Sequence, residues 1–254
     1  MSVSEVLWIL LAHALGFFLQ GIAGFGSGLV VVPILVWAGM ELPLAIGALL
    51  GGVVIATGQG CWRRRADYRW SDVWSISWWR LLGLPVGVWL LMQLMVWEPW
   101  RIKQAVGLFL GAAVLTMWLA KVRPRKHLAY RWTVLAGLGS GVTGGLVGMS
   151  GPLAALWVMA HDWPAERARA TLWGLFLVFS PVAAVVLTWR FGWDVAWAFF
   201  VGMACFPAAA TADVVGDRIG RKLSQEGLRR VAYGLLMVIA LVAVVEPWVM
   251  GRGG

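Results

Sequence analysis

The sequence predicts an all-α polytopic membrane protein made of two inverted repeats, each a re-entrant, broken helical hairpin plus three transmembrane helices. Three observations predict it. Of 254 residues, 61% are hydrophobic and 13% charged, where a soluble domain carries roughly 25% charged residues, and mean hydropathy is +0.79. Two glycine-rich breaks interrupt apolar sequence at corresponding places in the two halves. The basic residues divide unevenly between alternate loops.

The breaks organise the chain. Gly21–Ile34 reads GIAGFGSGLVVVPI, and Gly145–Val158 reads GLVGMSGPLAALWV. Laid together, Gly21 falls on Gly145, Gly24 on Gly148 and Leu29 on Leu153. Hydrocarbon tolerates non-helical backbone only where protein or a water-filled cavity covers it, because each unpaired N–H or C=O costs several kcal/mol. One such element repeated near the start of each half is the pattern of transporters built from internal repeats.

The elements follow in order. Val6–Gln20 and Leu29–Ala38 form the two arms of a first hairpin, 4–38. Half of a ~30 Å hydrocarbon core needs roughly 10 helical residues, so each arm reaches the bilayer centre. The opening MSVSEVLWILLAHALG has no basic n-region and no A-x-A cleavage site, and reads as the first membrane segment rather than a removable signal. Spans at 43–62, 76–96 (with Pro85) and 104–120 complete a first repeat, 1–120. Lys121–Arg131 is a basic linker. The second repeat, 132–254, holds a hairpin at 132–160 and spans at 170–188 (with Pro181), 195–211 (with Pro207) and 231–249. All six spans are near the ~17–25 residues a crossing helix needs. Trp70, Trp74 and Trp78, spaced by four beside Arg69 and Asp72, predict an amphipathic helix in the interface ahead of a span. Trp62, Trp97, Trp100, Trp189, Trp193 and Trp248 fall at span ends, where an aromatic belt forms.

Charge decides between crossing and re-entrant hairpins. If each glycine segment crosses, alternate sides share the 21 Lys and Arg as 12 and 9. If each turns back, the loops at 63–80, 121–131, 167–169 and 218–230 share one side, and the split is 17 to 4. Cytoplasmic loops carry an excess of Lys and Arg, which selects the re-entrant form. Three crossings per half then put the two halves in opposite orientations, with both termini extracytoplasmic and the linker in the cytoplasm.

The chemistry points to a small anion. The carboxylates Glu5, Glu41, Asp67, Asp72, Glu98, Asp162, Glu166, Asp194, Asp217, Glu226 and Glu246 lie in loops or at span ends, and only Asp213 lies deeper. Cation pumps and proton relays rely on intramembrane carboxylates, so their scarcity argues against cation transport. No Lys or Arg is expected mid-span, which leaves neutral donors to hold an anion. Hairpin tips supply them: the second arm starts at depth with unpaired N–H groups and the positive end of its helix dipole, and glycine admits a ligand close to the backbone. The candidate binding residues are Gly24, Phe25, Gly26, Ser27 and Gly28 in one tip, and Gly148, Met149, Ser150, Gly151 and Pro152 in the other. His13, Gln20, Gln59 and Ser180 are candidates for pore lining or coupling; Thr57, Thr143 and Thr171 are weaker ones. Cys61 and Cys205 sit in or beside apolar runs and read as packing. No cofactor, metal or nucleic acid is expected; the expected partners are a small anionic substrate, the lipid bilayer and a second copy in a homodimer. An intramembrane enzyme is disfavoured: there is no HExxH, and neither Ser27 nor Ser150 has an evident base nearby in sequence. An anion channel, or a carrier for a non-sulfur anion, is the alternative.

The paired motif, GIAGFGSGLVVVPIL with a GLVGMSGP stretch after a basic linker, resembles the TauE/SafE family of membrane permeases over nearly the whole chain. The basic RRR after the first span fits as well. The resemblance implies movement of sulfur-containing anions such as sulfite, sulfonates, sulfoacetate or thiosulfate across the inner membrane. It carries to Gly21, Gly24, Gly26, Gly28 and Pro33, and to Gly145, Gly148, Gly151 and Pro152. Ser27, where glycine is common, and Trp157, opposite Pro33, depart from the pattern and bear on the substrate more than on the fold.

Overall fold

The computed structural model describes residues 3–23, 25–67, 69–119, 124–125 and 128–220. Within them the chain forms α1 (Val3–Ala23), α2 (Ser27–Trp37), α3 (Leu42–Arg63), α4 (Trp70–Leu94), α5 (Pro99–Leu119), α6 (Tyr130–Val147), α7 (Gly151–Met159), α8 (Ala165–Phe191), α9 (Trp193–Ala204) and α10 (Phe206–Gly220). The expected span at 231–249, Gly24 and residues 121–123 and 126–127 of the linker lie outside the described residues. Among these helices α1, α3, α4, α5 and α8 are long and apolar enough to cross a bilayer, and the bent pair α9–α10 adds a sixth if it counts as one span. Apolar side chains fill the interior, such as Val31, Leu35, Ile46 and Leu175, and also cover the outside, such as Leu11, Leu82, Trp89, Leu108 and Val185. Helices apolar on both faces are what a membrane core selects.

Three elements differ from expectation. The first arms of the hairpins are 21 and 18 residues long, well beyond a half-span. The end of α1 finds an outside partner for its backbone: Arg169 of α8 donates to the Ile22 carbonyl at 3.1 Å, occupying an acceptor that the helix end leaves open. The tryptophan-spaced segment is no separate interfacial helix. Trp70, Trp74 and Trp78 lie exposed on the opening turns of the continuous, 25-residue α4, pinned at that end by Arg167 to the Asp72 carboxylate at 2.6 Å. The expected span 195–211 is bent by 53° at Cys205. Pro207 has no N–H for the carbonyl four residues back and its ring crowds that carbonyl, so α9 stops and α10 restarts.

Packing brings the short second arms to the centre. α1 runs along α10 and α4 along α6, while α3 lies against α8 and α9. The second hairpin closes on itself. Trp157 near the end of α7 donates to Thr133 near the start of α6 at 3.0 Å. Just outside, the Arg125 N–H donates to Ala160 O at 2.9 Å and the Asp162 N–H to Arg125 O at 3.3 Å. The chain entering α6 and the chain leaving α7 therefore meet at one end of the bundle.

Candidate functional site

Glycine makes both reversals. Gly26 has φ 109° and Gly148 φ 69°, left-handed backbone that side chains resist. The two turns touch: a Cβ added at Gly28 would lie 2.7 Å from the Gly148 carbonyl oxygen. Between them is one cavity of about 30 Å³, the room of roughly two waters. Its wall takes Gly26, Ser27, Gly28 and Leu29 from the first turn and Gly148, Met149, Ser150 and Gly151 from the second. Gln20 of α1, Leu49, Leu50 and Val53 of α3, and Phe176 and Ser180 of α8 complete it. The α3 and α8 residues come from the middle turns of long helices, so the cavity sits near the middle of those helices. No side chain caps the start of α2 or of α7, which leaves their first amides and the positive dipole ends at the cavity.

Two polar side chains on the wall, Gln20 and Ser150, have their acceptors occupied. Ser27 Oγ–H donates to Gln20 Oε1 at 2.6 Å. That occupies the amide's acceptor and leaves its N–H groups for a ligand. Ser150 Oγ accepts from Arg80 Nη2–H at 3.1 Å, and its own proton has no acceptor among the described residues. A wall of amides, one carboxamide N–H₂ and a hydroxyl suits an acceptor-only group, which is what an oxyanion is.

Most of the expected residues converge here. Gly26, Ser27, Gly28, Gly148, Met149, Ser150 and Gly151 line the cavity together with Gln20 and Ser180. Phe25 is half-buried beside Gly151, and Pro152 is buried in the first turn of α7, outside the wall. Two candidates lie elsewhere. His13 has Nδ1 2.8 Å from Ile9 O and Nε2 3.0 Å from Ala48 O, joining α1 to α3. Gln59 is exposed and accepts from Arg63 at 3.4 Å. Thr57 and Thr143 bond carbonyls of their own helices, and Thr171 is buried. Asp213 is buried on α10 with its carboxylate 3.7 Å from Arg63. Both cysteines are buried. Among the described residues no three metal-ligating side chains come together.

The expectation of no mid-span cation fails at Arg80. It sits ten residues into α4, about 15 Å along the axis, and is fully buried. Its guanidinium donates through Nε to Ser140 Oγ at 3.1 Å, through Nη1 to the Leu175 carbonyl, and through Nη2 to Ser150 Oγ. Phe176 and Phe179 flank it, with ring centres 5.4 and 4.7 Å from Cζ. Counting Arg80 as a loop charge was the error, and removing it leaves the loop bias intact. The signal was in the spacing: Ile76, Ser77, Gly83, Leu84 and Gly87 lie on one helical face with Arg80, and that face is buried.

The model of a sequence family described as sulfite exporter TauE/SafE matches residues 8–243. The chain belongs to the TauE/SafE family. That match takes in both hairpins and every described helix wall of the cavity. The family is one of exporters, so the chain is a membrane transporter and not an enzyme. A relative from Cupriavidus necator, described as a probable sulfite/organosulfonate exporter TauE, is 24% identical over 92% of this chain and 93% of its own length. No solved structure matches this TauE/SafE chain.

Proposed function

We propose that the protein exports a small sulfur-containing oxyanion, of the sulfite, thiosulfate or organosulfonate type, across the bacterial inner membrane. The cavity between the two turns is its binding site. The single observation that carries the reading is that both turns line one cavity in which Gln20 and Ser150 have their acceptors occupied and their donors left over. The family description and the named relative favour sulfur over other anions.

Alternating access is the mechanism, with the two hairpins as halves of an inverted repeat. The packing supports this by an exchange of partners: α1 of the first hairpin runs along α10, and α6 of the second along α4. The registers correspond. The Asp213 carbonyl crowds Gly21 while the Phe18 carbonyl crowds Gly216; the Leu84 carbonyl crowds Gly145 while the Val142 carbonyl crowds Gly87. Each pair repeats the same three-residue offset in opposite halves. The meeting of both ends of the second hairpin favours a re-entrant element, as does the loop charge bias, which also places the termini outside.

A thermal-shift screen of the purified protein tests the function. Sulfite, thiosulfate and sulfoacetate raise the melting temperature by mass action, while carboxylates of similar size do so less. Shifts with divalent metals and none with these anions refute the substrate class. Sulfite uptake into proteoliposomes that saturates with concentration supports a carrier; flux that stays linear supports a channel.

A further inference from the structure

Resting on that reading, we propose that Arg80 is a positioning residue whose buried positive charge, relayed through the Ser150 hydroxyl, makes the cavity select an anion over a neutral ligand of the same shape. The Arg80 cluster is unbalanced in charge. Arg80 is completely buried near the middle of a membrane-spanning helix, yet each acceptor it meets is a neutral oxygen: two serine hydroxyls and one backbone carbonyl. Among the described residues no carboxylate lies within ion-pair distance of it. A buried charge without a counter-charge is costly, and neutral partners offset only part of that cost. The phenyl rings of Phe176 and Phe179 add attraction to the cation but no negative charge.

The missing counter-charge fits the cavity. Ser150 belongs to the cavity wall and to the Arg80 cluster at once, and so does Phe176. Arg80 Nη2–H occupies the Ser150 oxygen and turns that hydroxyl into a donor facing the cavity. Arg80 Nε–H holds Ser140, whose hydroxyl donates to the Ser150 carbonyl at 2.8 Å. The guanidinium therefore fixes both the side chain and the backbone of the second turn. An anion bound there completes a neutral unit with Arg80, whereas a neutral molecule leaves the charge uncompensated. The planar fork matters, because a lysine ammonium reaches one of these partners but does not present the same set.

The test compares methanesulfonate with dimethyl sulfone, which is close in shape but uncharged, by titrating the purified full-length protein in detergent. The wild type prefers methanesulfonate by roughly 10- to 100-fold, the range that hydrogen bonds to a charged group supply. Arg80→Gln brings that preference close to unity, and Arg80→Lys restores part of it. Ser150→Ala lowers the preference several-fold and adds little in the Arg80→Gln background, since the two act in series. A purely structural Arg80 instead lowers the melting temperature and leaves the preference intact, which overturns the proposal. Should Arg80→Gln not fold, a full wild-type preference in both Arg80→Lys and Ser150→Ala overturns it equally. A wild type that binds neither compound sinks the site reading and this inference with it. A wild-type preference that survives Arg80→Gln sinks only the role of Arg80.

Discussion

Gly28→Ala is the sharpest probe of the contact between the two turns. Gly28 has ordinary helical backbone, so the substitution introduces no left-handed strain. Its new methyl would sit 2.7 Å from the Gly148 carbonyl oxygen and 3.2 Å from Leu49 Cδ2. The leucine tip can rotate away; the carbonyl cannot, because it belongs to the turn itself. Relief to the 3.4 Å at which ordinary contact begins requires the turns to separate by about 0.7 Å. Overpacking of this kind costs roughly 1–3 kcal/mol. Binding suffers more than stability, since one ligand must bridge amides on both turns and a hydrogen bond weakens steeply beyond about 3.2 Å. The expected result is a fall in sulfite affinity of roughly tenfold or more, with a melting temperature lowered by only a few degrees. Isothermal titration calorimetry of purified variants measures the affinity and a thermal scan the melting temperature. Gly192→Ala is the control: its φ is +97° with nothing within 4 Å, so it strains the backbone far from the cavity and leaves affinity unchanged. Wild-type sulfite affinity in Gly28→Ala would refute the idea that the two turns share one ligand.

Three further outcomes follow from the same geometry. Gln20→Leu removes the carboxamide donors and strands the Ser27 hydroxyl, and sulfite affinity drops roughly tenfold in the same titration; an unchanged value removes Gln20 from the site. His13→Ala loses contacts to both α1 and α3 and leaves a buried hole, which destabilises by roughly 2–4 kcal/mol. Its thermal denaturation midpoint falls while sulfite affinity holds, and a selective loss of transport in a stable variant would return His13 to the coupling role. In a background without Cys61 and Cys205, cysteines at the exposed positions Ala66 and Asp194 react with an impermeant thiol reagent from opposite sides of the membrane, Ala66 from the cytoplasm. Labelling of both from one side contradicts three crossings, α4, α5 and α8, around a re-entrant second hairpin.

The cavity wall was legible in residues because its builders are rare in apolar sequence. Glycines at 26, 28, 148 and 151, with a serine in each turn, stand out against leucine and valine, and the need to shelter bare backbone from lipid gives them a physical meaning. Gln20 and Ser180 were visible for a similar reason. His13 and Gln59 looked alike on paper and went elsewhere, since a polar side chain in a helix can satisfy itself on a neighbouring carbonyl or at the surface. The bend at Cys205 had its cause in view at Pro207, but Pro85 and Pro181 sit inside helices that continue through them. Which proline breaks a helix depends on what packs around it.

By itself the sequence determined the membrane class and the two glycine breaks, and it pointed toward a small anion, because hydropathy, glycine content and charge are properties of residues and need no partners. Only the tertiary structure decided that the two turns meet, and that Arg80 lies beneath one of them rather than in a loop. An arginine's address is set by what surrounds it on every side: Ser140 and Ser150 come from 60 and 70 residues away and Leu175 from 95, and no local pattern encodes that convergence.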